Sequence, residues 1–505
     1  MAFVLIGAFT ALNVHDAATI PIWYDEGWTL MEITGGLTRE GIQIPVGTTL
    51  DSDQLLALVD GPGTFAEVAG SLYVHDTHPP VYFQTLWAWT HLFGTSALGM
   101  RSLSVACMVA ASLVVYTYTR RLAGPMALLA LTLFFTSPGG AYSAVNARGY
   151  GVALLLVSLA MVGLLRVVDD DKPKRWALVV GAAAGIGAIT HYFTILTLLP
   201  AGLAALVFLI ARRRWVPLGL MVLTALPGLA SAALVWLPQQ IHARPNQNKD
   251  FGDLAVEGIS MFRVFTNQFT QLTVFPLWVG IPTVILGAML LAAMLVQGRR
   301  NVTNPFVAIP FAGFFGSMAG MFLLFWATDK TLLSFSIPRY GVLALPSIAI
   351  LLAQLTPNPW RDKPSWVAGG VVALILAGLI PRIDPTGFDN PWASAQAARN
   401  GYTALATMAP RSVVVITTKE TGRIGTTLHT LPPNIPVVYL PTAKDFAAWI
   451  VDGDAYDVLH MRPLFWANKP GARPFPDGFY KAAEAAGFVT EGMAWTREHP
   501  IEAQR

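Results

Sequence analysis

What most limits this chain is a succession of apolar runs long enough to cross a bilayer. They lie at roughly 97–119, 124–140, 149–165, 176–190, 192–211, 215–237, 276–296, 305–327, 332–355 and 364–380. Each reaches or approaches the ~20 residues a helix needs to cross ~30 Å of hydrocarbon. In lipid a backbone must satisfy its own N–H and C=O groups, so such runs become helices or strands of a closed barrel. These runs lack the two-residue alternation of barrel strands, which selects helices. The stretch 176–211 is too long for one crossing and divides at His191. One more run, Met1–Asn13, is short; either its helix continues through Val14–Ile20 or the natural N-terminus has been trimmed. With it, the reading is an all-α polytopic membrane protein of about eleven transmembrane helices. Only 12% of the residues are charged and the mean hydropathy is +0.52, against about 25% charge in a soluble domain.

Orientation follows from basic residues in the short connections, which favour the cytoplasmic side. Arg120 and Arg121, then Arg166 with Lys172, Lys174 and Arg175, then Arg212–Arg214, Arg299 with Arg300, and Arg361 with Lys363 occupy every second connection. The N-terminus is then inside and the C-terminus outside. The opposite connections form one external face holding Asp25, Glu26, Asp76, His78, Arg148, His191, Tyr192 and Lys330, with Arg339 slightly inside its run. Most chemically able side chains therefore share the non-cytoplasmic side. The N-terminus lacks the basic segment and cleavage site of a signal peptide. No basic tract interleaved with aromatics points to nucleic acid. The single cysteine, Cys107, excludes an intrachain disulfide framework and a multi-cysteine metal site.

Two segments depart from the spanning pattern. The first external connection, about 15–96, is long enough to be functional. Within it Ser52–Val59 and Thr64–Tyr73 read as short amphipathic helices, and Pro79-Pro80 opens an aromatic-rich helix through Phe93 suited to the headgroup level. Residues 382–505 read as a small external α/β domain. Strands are expected at Val413–Thr417, Val437–Leu440 and Val458–Met461, and helices at Ala393–Met408, Ala443–Ile450 and Phe479–Ala486. Residues 1–381 then make up the membrane domain. No phosphate-binding glycine loop or nucleophile elbow occurs.

Five stretches carry the chemistry. Asp25-Glu26 lies within Trp23-Tyr24-Asp25-Glu26-Gly27-Trp28, where charge beside a bilayer is costly and usually functional. The plainer reading is an acid pair at a helix start. Asp76-Thr-His78-Pro-Pro-Val-Tyr82 fixes its direction with two prolines. Ala147-Arg148-Gly149-Tyr150 and Thr190-His191-Tyr192-Phe193 begin runs, and Pro338-Arg339-Tyr340 sets an arginine inside one. Such an arginine needs an anionic partner, and a lipid phosphate is one. Asp25, Glu26 and Asp76 offer the hard oxygens a divalent cation prefers, but three acids spread over a loop assign no metal site.

In this order the stretches resemble the integral-membrane GT-C glycosyltransferases, specifically the dolichyl-phosphate-mannose-protein mannosyltransferase-like and lipid A aminoarabinose transferase-like group. The resemblance implies a helical membrane core with juxtamembrane helices in the first external loop, and often a soluble C-terminal domain. It also implies a polyprenyl-phosphate-linked sugar donor and inversion at the anomeric carbon. The expected activity is transfer of a hexosyl or pentosyl group to a lipid, glycan or protein acceptor outside a bacterial inner or plasma membrane. Physical chemistry agrees, because nucleotide sugars are cytoplasmic and an external site needs a donor that has crossed. Asp25 would be the general base, and Glu26 would orient the acceptor or support Asp25. Asp76 and His78 would shape the donor side, with Tyr82, Tyr150, His191, Tyr192 and Tyr340 lining donor or acceptor. Arg148 and Arg339 would hold the phosphate, with Lys330 a third contact. A lipid-linked-sugar flippase would instead place its charges near the midplane, often in repeated halves. An oligosaccharyltransferase, using a pyrophosphate donor and a metal, would carry a longer run of external acids.

Overall fold

The computed structural model describes residues 1–59, 63–76, 78–242, 296, 303–328, 341–355, 367–373, 375, 411–417, 421–429, 431, 433–452, 456–462, 475–489 and 494–497. The chain divides into two compact units, Met1–Thr19 with Leu72–Ala393, and Ile20–Ser71 with Ser394–Arg505. The division differs from the one expected at 381/382, because most of the first long loop groups with the C-terminal segment.

The first unit is helical. Among the described residues five helices are long and apolar enough to cross a membrane: Ala2–Thr19, Ala97–Thr136, Tyr150–Asp169, Phe193–Ala211 and Trp215–Gln239. The first shows that the short initial run continues, through Val14, to Thr19. The second contains a 3₁₀ turn at Gly124–Met126, entered by Gly124 at φ 55°. The division expected at His191 appears as a break between Pro173–Ala188 and Phe193–Ala211. Val81–Phe93, at 13 residues, spans about 20 Å and is too short to cross. The runs expected at 276–296 and 364–380 lie largely outside the described residues.

Helices of this unit meet where side chains are small. A Cβ on Gly181 would strike Thr224 and the Met221 carbonyl, and one on Gly228 would strike the Gly185 backbone. Small residues let backbones approach when lipid supplies no hydrophobic drive. The C-terminal end of Tyr150–Asp169 is capped from another connection. Arg212 donates to the Val168 carbonyl, and Arg214 to those of Val167 and Asp170. Arg166 lies 3.5 Å from the Asp170 carboxylate. Two of the basic connections thus meet at one end of the bundle, where cations also oppose the negative end of the helix dipole. Arg148 precedes the other end of the same 20-residue helix, about 30 Å away.

The second unit is built on a six-stranded mixed sheet. Its strands are β3 (Thr49–Asp51), β4 (Ser412–Ile416), β5 (Pro436–Tyr439), β6 (Val458–Arg462), β7 (Phe488–Val489) and β8 (Ala494–Arg497), in the order β3-β5-β4-β6-β8-β7. A separate hairpin pairs β1 (Leu37–Thr38) with β2 (Gly41–Ile42). Central β4 lies parallel to both β5 and β6 and is buried throughout. Period-two alternation sends Val413 and Val415 to one core with Phe446, Phe479 and Trp495, and Val414 and Ile416 to another with Met31, Leu55 and Ile424. Strand β3 comes from the first loop and pairs antiparallel with β5. Ser52 exchanges backbone and side-chain bonds with Ile435, and Asp53 accepts from the Asn434 N–H. This pairing is the physical reason that residues 20–71 join the C-terminal unit. The helix expected at Ala393–Met408 lies outside the described residues.

Candidate functional site

The acidic pair begins the Tyr24–Thr34 helix of the second unit. Glu26 is fully buried, and its carboxylate accepts the Trp23 N–H at 3.3 Å. It thereby closes the first turn, a structural task beyond the acceptor-orienting one expected of it. Asp25 is half-buried, and its carbonyl accepts the Thr29 hydroxyl at 3.1 Å. The next residue but one, Gly27, is packed against Gly422, Gly425 and Thr426 of the Thr421–Leu428 helix.

In the first unit the structure brings together three of the expected stretches. Asp76 follows the Phe65–His75 helix, which opens on a reciprocal Thr64–Glu67 cap. Asp76 Oδ1 lies 2.8 Å from His78 Nδ1, and Arg148 Nη2 lies 3.0 Å from His78 Nε2. A carboxylate only accepts, so His78 Nδ1 carries the proton that Asp76 receives, and Arg148 Nη2, also 3.4 Å from Nδ1, lies against the ring. The Arg148 guanidinium also lies 5.7 Å from the centre of the Phe83 ring, and the residue is only 7% exposed. His191 packs 4.7 Å from the Tyr150 ring and 6.2 Å from that of His78. The Phe193 N–H donates to His191 Nδ1, which leaves the His191 proton on Nε2.

His78, Phe83, Arg148, Tyr150 and His191 line a small open cavity, with Tyr82, Gly149 and Thr190 completing its wall. The lining has one topological property. His78 stands just before the Val81–Phe93 helix, Arg148 and Gly149 before Tyr150–Asp169, and Thr190 and His191 before Phe193–Ala211. Three helix N-termini therefore converge on one cavity, and helix N-termini favour anions. The Val81 N–H, bonded to the Ile189 carbonyl at 3.2 Å, ties two of those starts together. Tyr192 does not line the cavity; burial, reinforced by the Asp76 carboxylate, pushes its phenol above the ordinary range, so it remains protonated.

Lys330, Arg339 and Tyr340 lie outside the described residues. Among the described residues no group of three or more His, Cys, Asp or Glu side chains is arranged to hold a metal ion. Gln239 was not foreseen. Its amide nitrogen reaches the carbonyls of Leu72, Tyr73 and Asp76 at 3.4, 2.8 and 2.6 Å. No local sequence signal marks such a contact, because its partners lie more than 160 residues away.

Residues 77–236 match a family model described as dolichyl-phosphate-mannose-protein mannosyltransferase. The chain is similar to the crystal structure of ArnT from Cupriavidus metallidurans in the apo state, at 12% identity and a TM-score of 0.56, covering 98% of this chain and 96% of that one. It is similar to the same protein bound to undecaprenyl phosphate, at 12% identity and a TM-score of 0.53, covering 98% and 97%. An oligosaccharyltransferase from Archaeoglobus fulgidus aligns at 12% identity over 91% of this chain and 68% of that one, with a TM-score of 0.44, too low to argue from. No curated protein matches. The family resemblance is borne out over residues 77–236, and the fold is shared with ArnT. All the cavity residues fall within the matched segment.

Proposed function

We propose that the chain is a membrane glycosyltransferase that moves a hexosyl or pentosyl group from a polyprenyl phosphate to a lipid, glycan or protein acceptor outside the cytoplasm. The observation that carries this is the convergence of three helix N-termini and Arg148 on one open cavity. Positive potential from dipoles and a guanidinium is what a leaving phosphate requires. The related fold with undecaprenyl phosphate bound supports a lipid phosphate as the anion. Sidedness is supported by the basic connections meeting at the opposite end of Tyr150–Asp169.

In this reading the phosphate lies against Arg148, with Arg339 and Lys330 as further contacts. Asp76 and His78 hold the Arg148 guanidinium in place, while Tyr82, Tyr150, His191, Tyr192 and Tyr340 shape the surroundings of donor and acceptor. Asp25 takes the proton from the acceptor hydroxyl as its oxygen attacks the anomeric carbon. The bond to the phosphate oxygen breaks, and configuration inverts. A divalent cation, where one assists, would take hard oxygen ligands such as Asp25 or Asp76. Incubation of purified protein with polyprenyl-phosphate pentoses and hexoses tests the proposal. Release of polyprenyl phosphate alongside a glycosylated acceptor supports it; passage of the intact donor across a vesicle membrane without release would make the chain a flippase.

A further inference from the structure

We propose that Gln239 is a positioning residue for the phosphate contact, acting through Asp76 and His78 on Arg148; this rests on the functional reading above. The Trp215–Ser231 helix does not continue regularly to its end. It passes through a π-helical turn, Ala232–Trp236, into Leu237–His242. Such a turn inserts a residue and rotates the helix beyond it, and π-turns are frequent at functional sites. Trp236 and Gln239, three apart and so on one face, then meet the same target. Trp236 packs edge-on against Tyr73 at 6.0 Å, and Gln239 reaches the carbonyls of Leu72, Tyr73 and Asp76.

Those carbonyls end the Phe65–His75 helix and carry the chain into Asp76. The last carbonyls of a helix lack partners within it; that of Leu72 accepts the Asp76 N–H at 3.1 Å, and those of Tyr73 and Asp76 meet Gln239. Gln239 is 5% exposed, and all three neighbours of its nitrogen are acceptors, so the amide can face them only with its N–H groups. One side chain thereby fixes the backbone of the residue that receives the His78 proton. From Asp76 the order is carboxylate to Nδ1–H, then the His78 ring to the Arg148 guanidinium, whose Nη2 lies 3.0 Å from Nε2 and 3.4 Å from Nδ1. Losing the clamp frees Asp76 to turn, His78 loses the partner that fixes its tautomer, and Arg148 loses its rest.

The test uses the full-length protein in detergent, as parent, Gln239→Leu, isosteric Gln239→Glu, Asp76→Asn, and Gln239→Leu combined with Asp76→Asn. Two quantities are read: the affinity for undecaprenyl phosphate, and the tautomer of His78 from nitrogen NMR of histidine-labelled protein, assigned by difference against His78→Gln. Both Gln239 variants are expected to bind undecaprenyl phosphate about tenfold more weakly and to lose the Nδ1–H signal of His78. In the Asp76→Asn background Gln239→Leu is expected to cost nothing further, since it acts through that carboxylate. Independent, multiplicative losses, or an unchanged Nδ1–H signal in both Gln239 variants, would overturn the proposal. A parent that binds no undecaprenyl phosphate would sink the functional reading instead, and the tautomer would then decide the role of Gln239 alone.

Discussion

Replacing Gly27 by alanine should destabilise the second unit, although alanine is the better helix former. A Cβ at this position would lie 2.5 Å from Thr426 Oγ1 and 2.6 Å from the Thr426 nitrogen, and closer still to the Gly422 carbonyl. Two of those three obstacles are backbone atoms of a packed helix, which cannot rotate aside. Overpacking of this kind costs ~1–3 kcal/mol, and backbone obstacles argue for the upper end. Alanine returns ~1 kcal/mol in helix propensity. The net loss is therefore ~2 kcal/mol. In a unit of roughly 160 residues each kcal/mol moves Tm by about 2–4 °C, so a fall of about 4–8 °C is expected. Hydrogen exchange of peptides covering 412–439, followed through a thermal series on full-length protein in detergent, reads the unit directly. Gly425→Ala should act alike, because its Cβ would strike the Gly27 backbone, and the double variant should lose less than the sum. An unchanged or raised midpoint for Gly27→Ala would refute the close helix contact and the reasoning built on it.

Arg148→Lys keeps the charge but loses the planar fork that lies over Phe83 and reaches His78. Titration with undecaprenyl phosphate should show roughly tenfold weaker binding, and a larger loss for Arg148→Ala; equal affinities would make Arg148 structural. Burial pushes the His429 imidazole down to about 4 from 6.5, so the folded unit holds it neutral while the unfolded chain charges it. Its contribution is complete above about 6.5 and lost as pH falls toward 4, ~3 kcal/mol at the limit and about 1–2 for a ring that is only half-buried. Denaturant unfolding at pH 7 and pH 4.5 should show this difference shrink in His429→Gln. Asp25→Asn should lower turnover by about 10²–10⁴-fold with undecaprenyl phosphate binding intact; turnover within about threefold of the parent, with collapse in Asp76→Asn, would move the base to Asp76.

Much of the helical unit was legible because apolar length and proline placement are local signals. The break at His191 and the short helix after Pro80 both arise from residues within a few positions of one another. The cavity was legible as a set of stretches, since each helix start carries its own polar residue, but their convergence was not. What escaped was long-range pairing. Strand β3 is three residues long and finds its partner β5 nearly 390 residues later, so nothing near it shows that residues 20–71 join the C-terminal sheet. Gly27 reads as a turn or a flexible position until Gly422 and Gly425 are set beside it. Glu26 sits where a helix cap belongs, three residues after Trp23, but Trp23 offers no Ser or Thr to complete the familiar pattern, and its charge drew a functional reading.

The two ends of Tyr150–Asp169 use arginine in opposite ways. At the C-terminal end Arg166, Arg212 and Arg214 meet carbonyls and a carboxylate, where the helix dipole is negative and each cation is stabilising. At the N-terminal end Arg148 stands where the dipole is positive, beside the starts of two further helices. That placement costs stability, since a cation there is repelled by the ends it adjoins. The Asp76 carboxylate, reached through His78, brings negative charge to this 7% exposed arginine. In the proposed reading, the positive potential of those helix ends would give a departing phosphate a place to develop charge without reorganising its surroundings, the form of stabilisation that lowers a barrier most. If the proposed function holds, the cavity trades stability for readiness, at the end of the bundle opposite the basic connections.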